Sequence, residues 1–128
     1  MMVNIKNLLF LSLVAVSATQ PILEDRARLK DLVCDRIHWT KDQINLSIRQ
    51  ARKLGNDNLT YPGKFSNRGG KGNFLFNAKG QLWEFPLTKP VWNKNDRPGT
   101  FRVIMKENYG FVGVTNKDPG VGNTIHKC

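Results

Sequence analysis

Two short stretches carry the residues best placed to do chemistry. Leu82-Trp83-Glu84-Phe85-Pro86-Leu87 alternates as a strand does, so Trp83, Phe85 and Leu87 share one face and Glu84 looks out from the other. An acid inside an otherwise apolar strand is costly unless its face is solvated or the acid has a task. Thr100-Phe101-Arg102-Val103-Ile104-Met105-Lys106 repeats the pattern with the opposite charge: Phe101, Val103 and Met105 take the core side, and Arg102 takes the open side with Ile104 and Lys106. Successive strands usually pair, which puts a carboxylate and a guanidinium on one open sheet face. The bland alternative for the two is a structural ion pair.

The elements around them form an α+β pattern. Thr40 and Gln43 make a capping box, and Trp39 with Ile44 a hydrophobic staple across it. The helix then buries Ile44, Ile48 and Ala51, with Leu54 near the stripe, for about fourteen residues. Arg49, Arg52 and Lys53 oppose the negative end of its dipole, and Gly55 is the expected left-handed stop. Strands are expected near Lys64–Asn67, at Phe74–Phe76, at the Glu84 and Arg102 stretches, at Phe111–Thr115 and at Thr124–Lys127. The turn Asn77-Ala78-Lys79-Gly80 makes residues 73–87 read as a hairpin. Arg68-Gly69-Gly70-Lys71-Gly72 reads as a mobile basic loop, without the preceding strand and following helix that a nucleotide P-loop needs. The expected fold is one main helix packed on a curved antiparallel sheet of four to five strands.

The chain has 128 residues, with 20 Lys+Arg against 10 Asp+Glu, a formal charge of +10. Such a balance attracts polyanions, and charge alone does not choose among nucleic acid, anionic lipid and acidic glycans. Met1 to Lys6 is a short basic segment, Leu8 to Val16 is apolar, and Val16-Ser17-Ala18 is small at the cleavage positions. Residues 1–18 therefore read as a secretory signal peptide, since a membrane span needs ~20 apolar residues. Residues 19–33 read as an extended arm leading to Cys34, and 34–128 as one domain. No other stretch is apolar enough to anchor the mature chain. The two cysteines, Cys34 and Cys128, allow a single pairing in an oxidising compartment. Asn45-Leu46-Ser47 and Asn58-Leu59-Thr60 are glycosylation sequons, the second in a loop.

The order of helix, Tyr61-Pro62-x-Lys64, Trp83-Glu84-Phe85-Pro86, Arg102-Val103, Gly113-Val114-Thr115, then Gly122-Asn123 to a terminal Cys resembles the small secreted guanyl-specific ribonucleases of fungi. The resemblance spans about residues 34–128. That family drives the ribose 2′-hydroxyl onto the neighbouring phosphate, which needs a base, an acid and groups for the phosphoryl oxygens. The resemblance implies that Tyr61 matches a phosphate-binding tyrosine, Glu84 the catalytic glutamate and Arg102 the catalytic arginine. Gly63 stands where a first histidine belongs and Lys117 where the acid histidine belongs. Arg68 and Gly69 replace a tyrosine–glutamate pair that reads guanine, while Asn67 and Asn123 fit neighbouring positions. The Cys34–Cys128 pairing is similar to the family's long-range bridge.

The chain's two histidines, His38 and His126, fall at neither site. Proton transfer by a placed side chain is worth ~10²–10⁴-fold, so their loss from the site predicts a rate lower by orders of magnitude. What remains suits binding: Tyr61, Lys64, Arg68, Lys71, Arg102, Lys117 and Asn123 as an RNA-contacting set, with phosphate attraction that weakens with salt. The chain is similar in this respect to the ribonuclease-like effectors of plant-infecting fungi, which are exported into host tissue and bind host RNA or proteins. The resemblance thus implies a secreted, monomeric, non-catalytic binder of RNA, with host proteins as further partners, delivery into host cells, no membrane association and no metal or cofactor. The alternative is an active or weakly active guanyl-type endoribonuclease with Glu84 as base and Lys117 as acid.

Overall fold

The computed structural model describes residues 28–128 except 56, 58, 59 and 121. The expected signal peptide and its cleavage site, and Asn58 of the second sequon, lie outside the described residues.

A two-stranded hairpin opens the described chain: β1 (Leu32–Cys34) and β2 (Ile37–Trp39) pair antiparallel around Asp35 and Arg36. Both turn residues have positive φ, 51° and 71°, the backbone of the tightest two-residue hairpins. The expected arm therefore gives way to a strand by Leu32, and Leu29 and Leu32 already pack on the core. Helix α1 (Lys41–Leu54) follows with its capping box intact: Gln43 N donates to Thr40 Oγ1 and Thr40 N to Gln43 Oε1. Asp31 adds a further acceptor, taking the Lys41 N–H at 2.6 Å. The helix ends differently from expectation. Gly55 is right-handed (φ −59°, ψ −22°), and a Cβ there would stand 2.3 Å from the Tyr109 hydroxyl, so the glycine serves close approach rather than a left-handed cap.

The sheet has five antiparallel strands in sequence order: β3 (Gly63–Phe65), β4 (Leu82–Pro86), β5 (Arg102–Lys106), β6 (Phe111–Lys117) and β7 (Ile125–Lys127). One face receives α1. Ile44, Ile48, Ala51 and Leu54 pack there with Phe85, Leu87, Val103, Met105 and Val114 in one cluster that also holds Trp39 and Trp92. Full burial of each Ile, Leu, Phe, Val or Met side chain among them is worth about 1.5–3 kcal/mol. Trp83, expected in this core, is only half-buried, because its Nε1–H reaches out to Glu107 Oε1 at 2.9 Å.

The other face is less open than its polar residues suggest. Ile104 is fully buried in a second apolar cluster with Phe65, Phe76, Leu82 and Val112. Residues 74–76 form no strand, and no 73–87 hairpin exists. Phe74 makes a single bridge to Arg68, and the chain then folds over this sheet face. Gly113 admits it, since a Cβ at 113 would stand 2.3 Å from the Phe76 ring. The loop expected to be mobile is tied by Gly69 N to Asn73 O (2.8 Å), Gly72 N to Gly69 O (3.0 Å) and Leu75 N to Asn67 O (3.1 Å).

The Cys34–Cys128 disulfide is present, joining positions 94 apart in sequence. No helix among the described residues is long and apolar enough to cross a membrane.

Candidate nucleic-acid interface

Directly paired residues of an antiparallel sheet point to the same face, so the register lays out the site. One row runs Gly63, Glu84, Ile104, Gly113 across β3 to β6. The next runs Pro86, Arg102, Thr115, Lys127 across β4 to β7. Glu84 and Arg102 are thus diagonal neighbours on one face, with Arg102 Nε 3.8 Å from Glu84 Oε1.

Arg102 is held from three sides. Its Nη1 donates to the carbonyls of Pro98 (3.3 Å), Gly99 (2.8 Å) and Phe101 (2.9 Å), which wraps the preceding loop around the guanidinium. Its Nη2 donates to the Tyr61 hydroxyl at 2.9 Å, and the cation stands 5.0 Å from the Tyr61 ring centroid. Tyr61 is braced edge-on by Trp92, 5.6 Å away between centroids. Arg102 Nε makes an ion pair but no hydrogen bond, so the Nε/Nη2 edge retains donors for an anion. That edge is the one that takes phosphate oxygens in pairs.

Glu84 is more buried than exposed, its side chain retaining 28 % of its surface. Burial pushes its carboxyl above the ordinary carboxylate range, and Arg102 pulls it part of the way back. Glu84 is therefore a better proton acceptor than a fully exposed carboxylate. Its partner across the sheet is Gly63, which offers no side chain at all.

Neither imidazole belongs to the Glu84 row or the Arg102 row. His126 pairs with Asn116 on the opposite side of the sheet, and His38 is exposed on the β1–β2 hairpin. His126 is instead clamped between two carboxylates, Nδ1 to Asp118 Oδ1 at 2.6 Å and Nε2 to Asp35 Oδ2 at 2.8 Å. Those bonds, the one to Asp118 above all, raise its pKa. Asp35 is lowered chiefly by the Asn116 amide, 2.6 Å away, and Asp118 chiefly by Thr124. The cluster joins the hairpin turn to the last strand beside the disulfide. Nothing in the residue order foretold it beyond the closeness of Asp35 and His126 to the two cysteines.

The other expected residues scatter around this centre. Lys117 shares the parity of Thr115 and Arg102 at the exposed end of β6. Lys64 pairs with Trp83 and so takes the opposite parity from Glu84, at the outer edge strand. Arg68 is turned onto its own loop, its guanidinium 4.3 Å from the Phe74 ring centroid and donating to Gly72 O. Lys71 and Asn123 are exposed in loops. Asn67 is a brace: its amide donates to Phe76 O (2.8 Å) and accepts from Phe76 N (2.9 Å), and it is buried. Sequence reasoning missed Thr115, which is fully buried in the Arg102 row with a hydroxyl that has no partner.

The ribonuclease family model matches residues 27–128. The chain belongs to the ribonuclease family. Among solved structures, this ribonuclease-family chain is similar to a ribonuclease from Hericium erinaceus (RNase He1), at 21 % identity and a TM-score of 0.57 over 77 % of this chain and 97 % of that one. At that identity the likeness speaks for the fold: one helix on a five-stranded antiparallel sheet. The sequence finds no match among curated proteins.

Proposed function

We propose that this ribonuclease-family chain is a secreted, non-catalytic binder of RNA. The observation that carries the reading is the row Gly63–Glu84 beside Arg102: the acid and the cation stand together while the position facing the acid has no side chain. The guanidinium, aimed by three carbonyls and Tyr61, is suited to a phosphate. The proton relay that strand cleavage needs has one member here. His126 is engaged by Asp118 and Asp35, and His38 belongs to the separate two-stranded hairpin. Lys117, the other candidate acid, stands exposed at the end of β6.

Tyr61 and Arg102 form the centre of the RNA site, with Lys117, Lys64, Arg68, Lys71 and Asn123 at its rim. Host proteins as additional partners and action inside host tissue, as an effector of a plant-infecting fungus, complete the proposal. They rest on the likeness described from the sequence, on the basic charge and on the long-range disulfide.

The test is one preparation assayed for both binding and cleavage of single-stranded RNA across a salt series. Binding that falls as salt rises, is lost in Arg102→Ala and is accompanied by no strand cleavage supports the reading. Cleavage abolished by Glu84→Gln refutes it.

A further inference from the structure

Phe74 is exposed over 64 % of its surface, as far as any large apolar side chain among the described residues. It is nonetheless held in place. Arg68 bridges it through the backbone and covers one side of the ring with its guanidinium. Behind it, the Asn67 amide fixes Phe76, and Phe76 lies against Gly113 in the Glu84 row. An aromatic ring is thus mounted on a stiff support at the margin of the site.

Two shallow depressions, of about 640 and 440 Å³, meet at Phe74 and share Asn67 and Ala78 with it. Lys64 lines the first and Lys127 the second, and among the described residues no acid lines either. Lys127 belongs to the Arg102 row, so the second depression borders the phosphate-holding row. An exposed ring between lysines, with a guanidinium behind it, is the arrangement of a single-strand platform.

We infer that Phe74 stacks one unpaired base of an RNA strand whose backbone crosses Lys64 and Lys127. The inference rests on the RNA-binding reading above and adds a second contact point to it. The platform does not select the base through Asn67, because both ends of that amide are taken by the Phe76 backbone. A protein partner is the less suited occupant, since two basic depressions without an acid match a polyanion.

The test measures binding of the full chain to a short single-stranded RNA carrying 2-aminopurine, and to an abasic oligomer of equal length, at one low salt concentration. Wild type, Phe74→Ala, Phe74→Trp and Arg102→Ala are compared after their folds are matched by circular dichroism. Phe74→Ala is expected to weaken RNA binding by about 5- to 150-fold, the range for one stacked base. Phe74→Trp keeps the affinity and the quenching of 2-aminopurine, and the abasic oligomer binds wild type and Phe74→Ala alike. RNA affinity unchanged in Phe74→Ala but lost in Arg102→Ala overturns the platform and leaves the RNA site standing. An equal loss on the abasic oligomer also overturns it. A wild-type chain that binds no RNA sinks both, and a protein partner lost in Phe74→Ala with RNA affinity intact gives the ring to a protein instead.

Discussion

Replacing Glu84 by Gln separates a binder from a nuclease, because the two roles predict opposite signs. In a binder, Glu84 is a negative charge beside the group that receives phosphate. A phosphate oxygen bonded to Arg102 at ~2.8 Å, added to the 3.8 Å of the ion pair, stands up to roughly 6.6 Å from the carboxylate. At an effective dielectric near 20 that repulsion is about 2.5 kcal/mol. The residual exposure of Glu84 and dissolved salt reduce it to ~1 kcal/mol, about five-fold in affinity. Glu84→Gln should therefore bind single-stranded RNA about five times more tightly at pH 7, measured by fluorescence anisotropy at low salt. The pH dependence follows from the raised pKa of Glu84. Wild-type affinity climbs towards that of the variant as pH falls through this pKa, because protonation removes the same charge. The sign for stability is set by burial, which disfavours the ionised form in the folded chain. The variant is accordingly no less stable than wild type at neutral pH, and any advantage shrinks on acidification. Weaker RNA binding in Glu84→Gln, or wild-type cleavage that the substitution abolishes, would refute the reasoning.

Four further outcomes are expected. The combined change Gly63→His and Lys117→His should raise RNA cleavage by at least ~10²-fold, read as release of cyclic-phosphate ends; the new Cβ at 63 meets Thr60 O at 3.0 Å, so that carbonyl must yield by a few tenths of an ångström. Thr115→Val should raise stability by about 1 kcal/mol in urea unfolding, since it replaces a buried hydroxyl that has no partner; a loss of stability would assign the hydroxyl a partner. His126 contributes stability that is full below its ordinary value of 6.5 and lost as pH rises through its raised folded pKa, whereas Asp35 and Asp118 contribute above their ordinary 3.8 and lose it as pH falls through their lowered ones. Thermal scans should accordingly show the cluster's contribution greatest between those two ordinary values, and His126→Asn should remove its decline on the alkaline side. Reduction of Cys34–Cys128 should cost up to about 4.7 kcal/mol, the chain-entropy figure for a loop of ~100 residues, read as a fall in the urea midpoint.

The helix was legible because its signals are local. Thr40, Gln43 and the Ile44–Ile48–Ala51 stripe need nothing beyond themselves, and they place the start of α1 at Lys41 and its buried face. That Glu84 and Arg102 share a face was legible because alternation along two neighbouring strands decides which side chains point the same way. What escaped depends on distant partners. Gly55 reads as a left-handed stop until Tyr109 arrives beside it. Phe74-Leu75-Phe76 reads as a strand, but its partner is one residue, Arg68, and its apolar side chains are satisfied by the sheet face instead. Ile104 looks solvent-facing by its neighbours Arg102 and Lys106, and it is buried because that same segment covers it. The aspartates around His126 come from opposite ends of the chain, and no spacing rule joins them.

The contact between Phe76 and Gly113 ties two stretches of the gene that are far apart. Any side chain at 113 would strike the ring, and a displaced ring would carry with it the Asn67 brace and the Arg68–Phe74 pair. Drift at these sites is therefore coupled. Descendant chains that acquire a Cβ at 113 should also carry a small residue at 76, and their covering loop should be the part that diverges first while the strands beneath it keep their length.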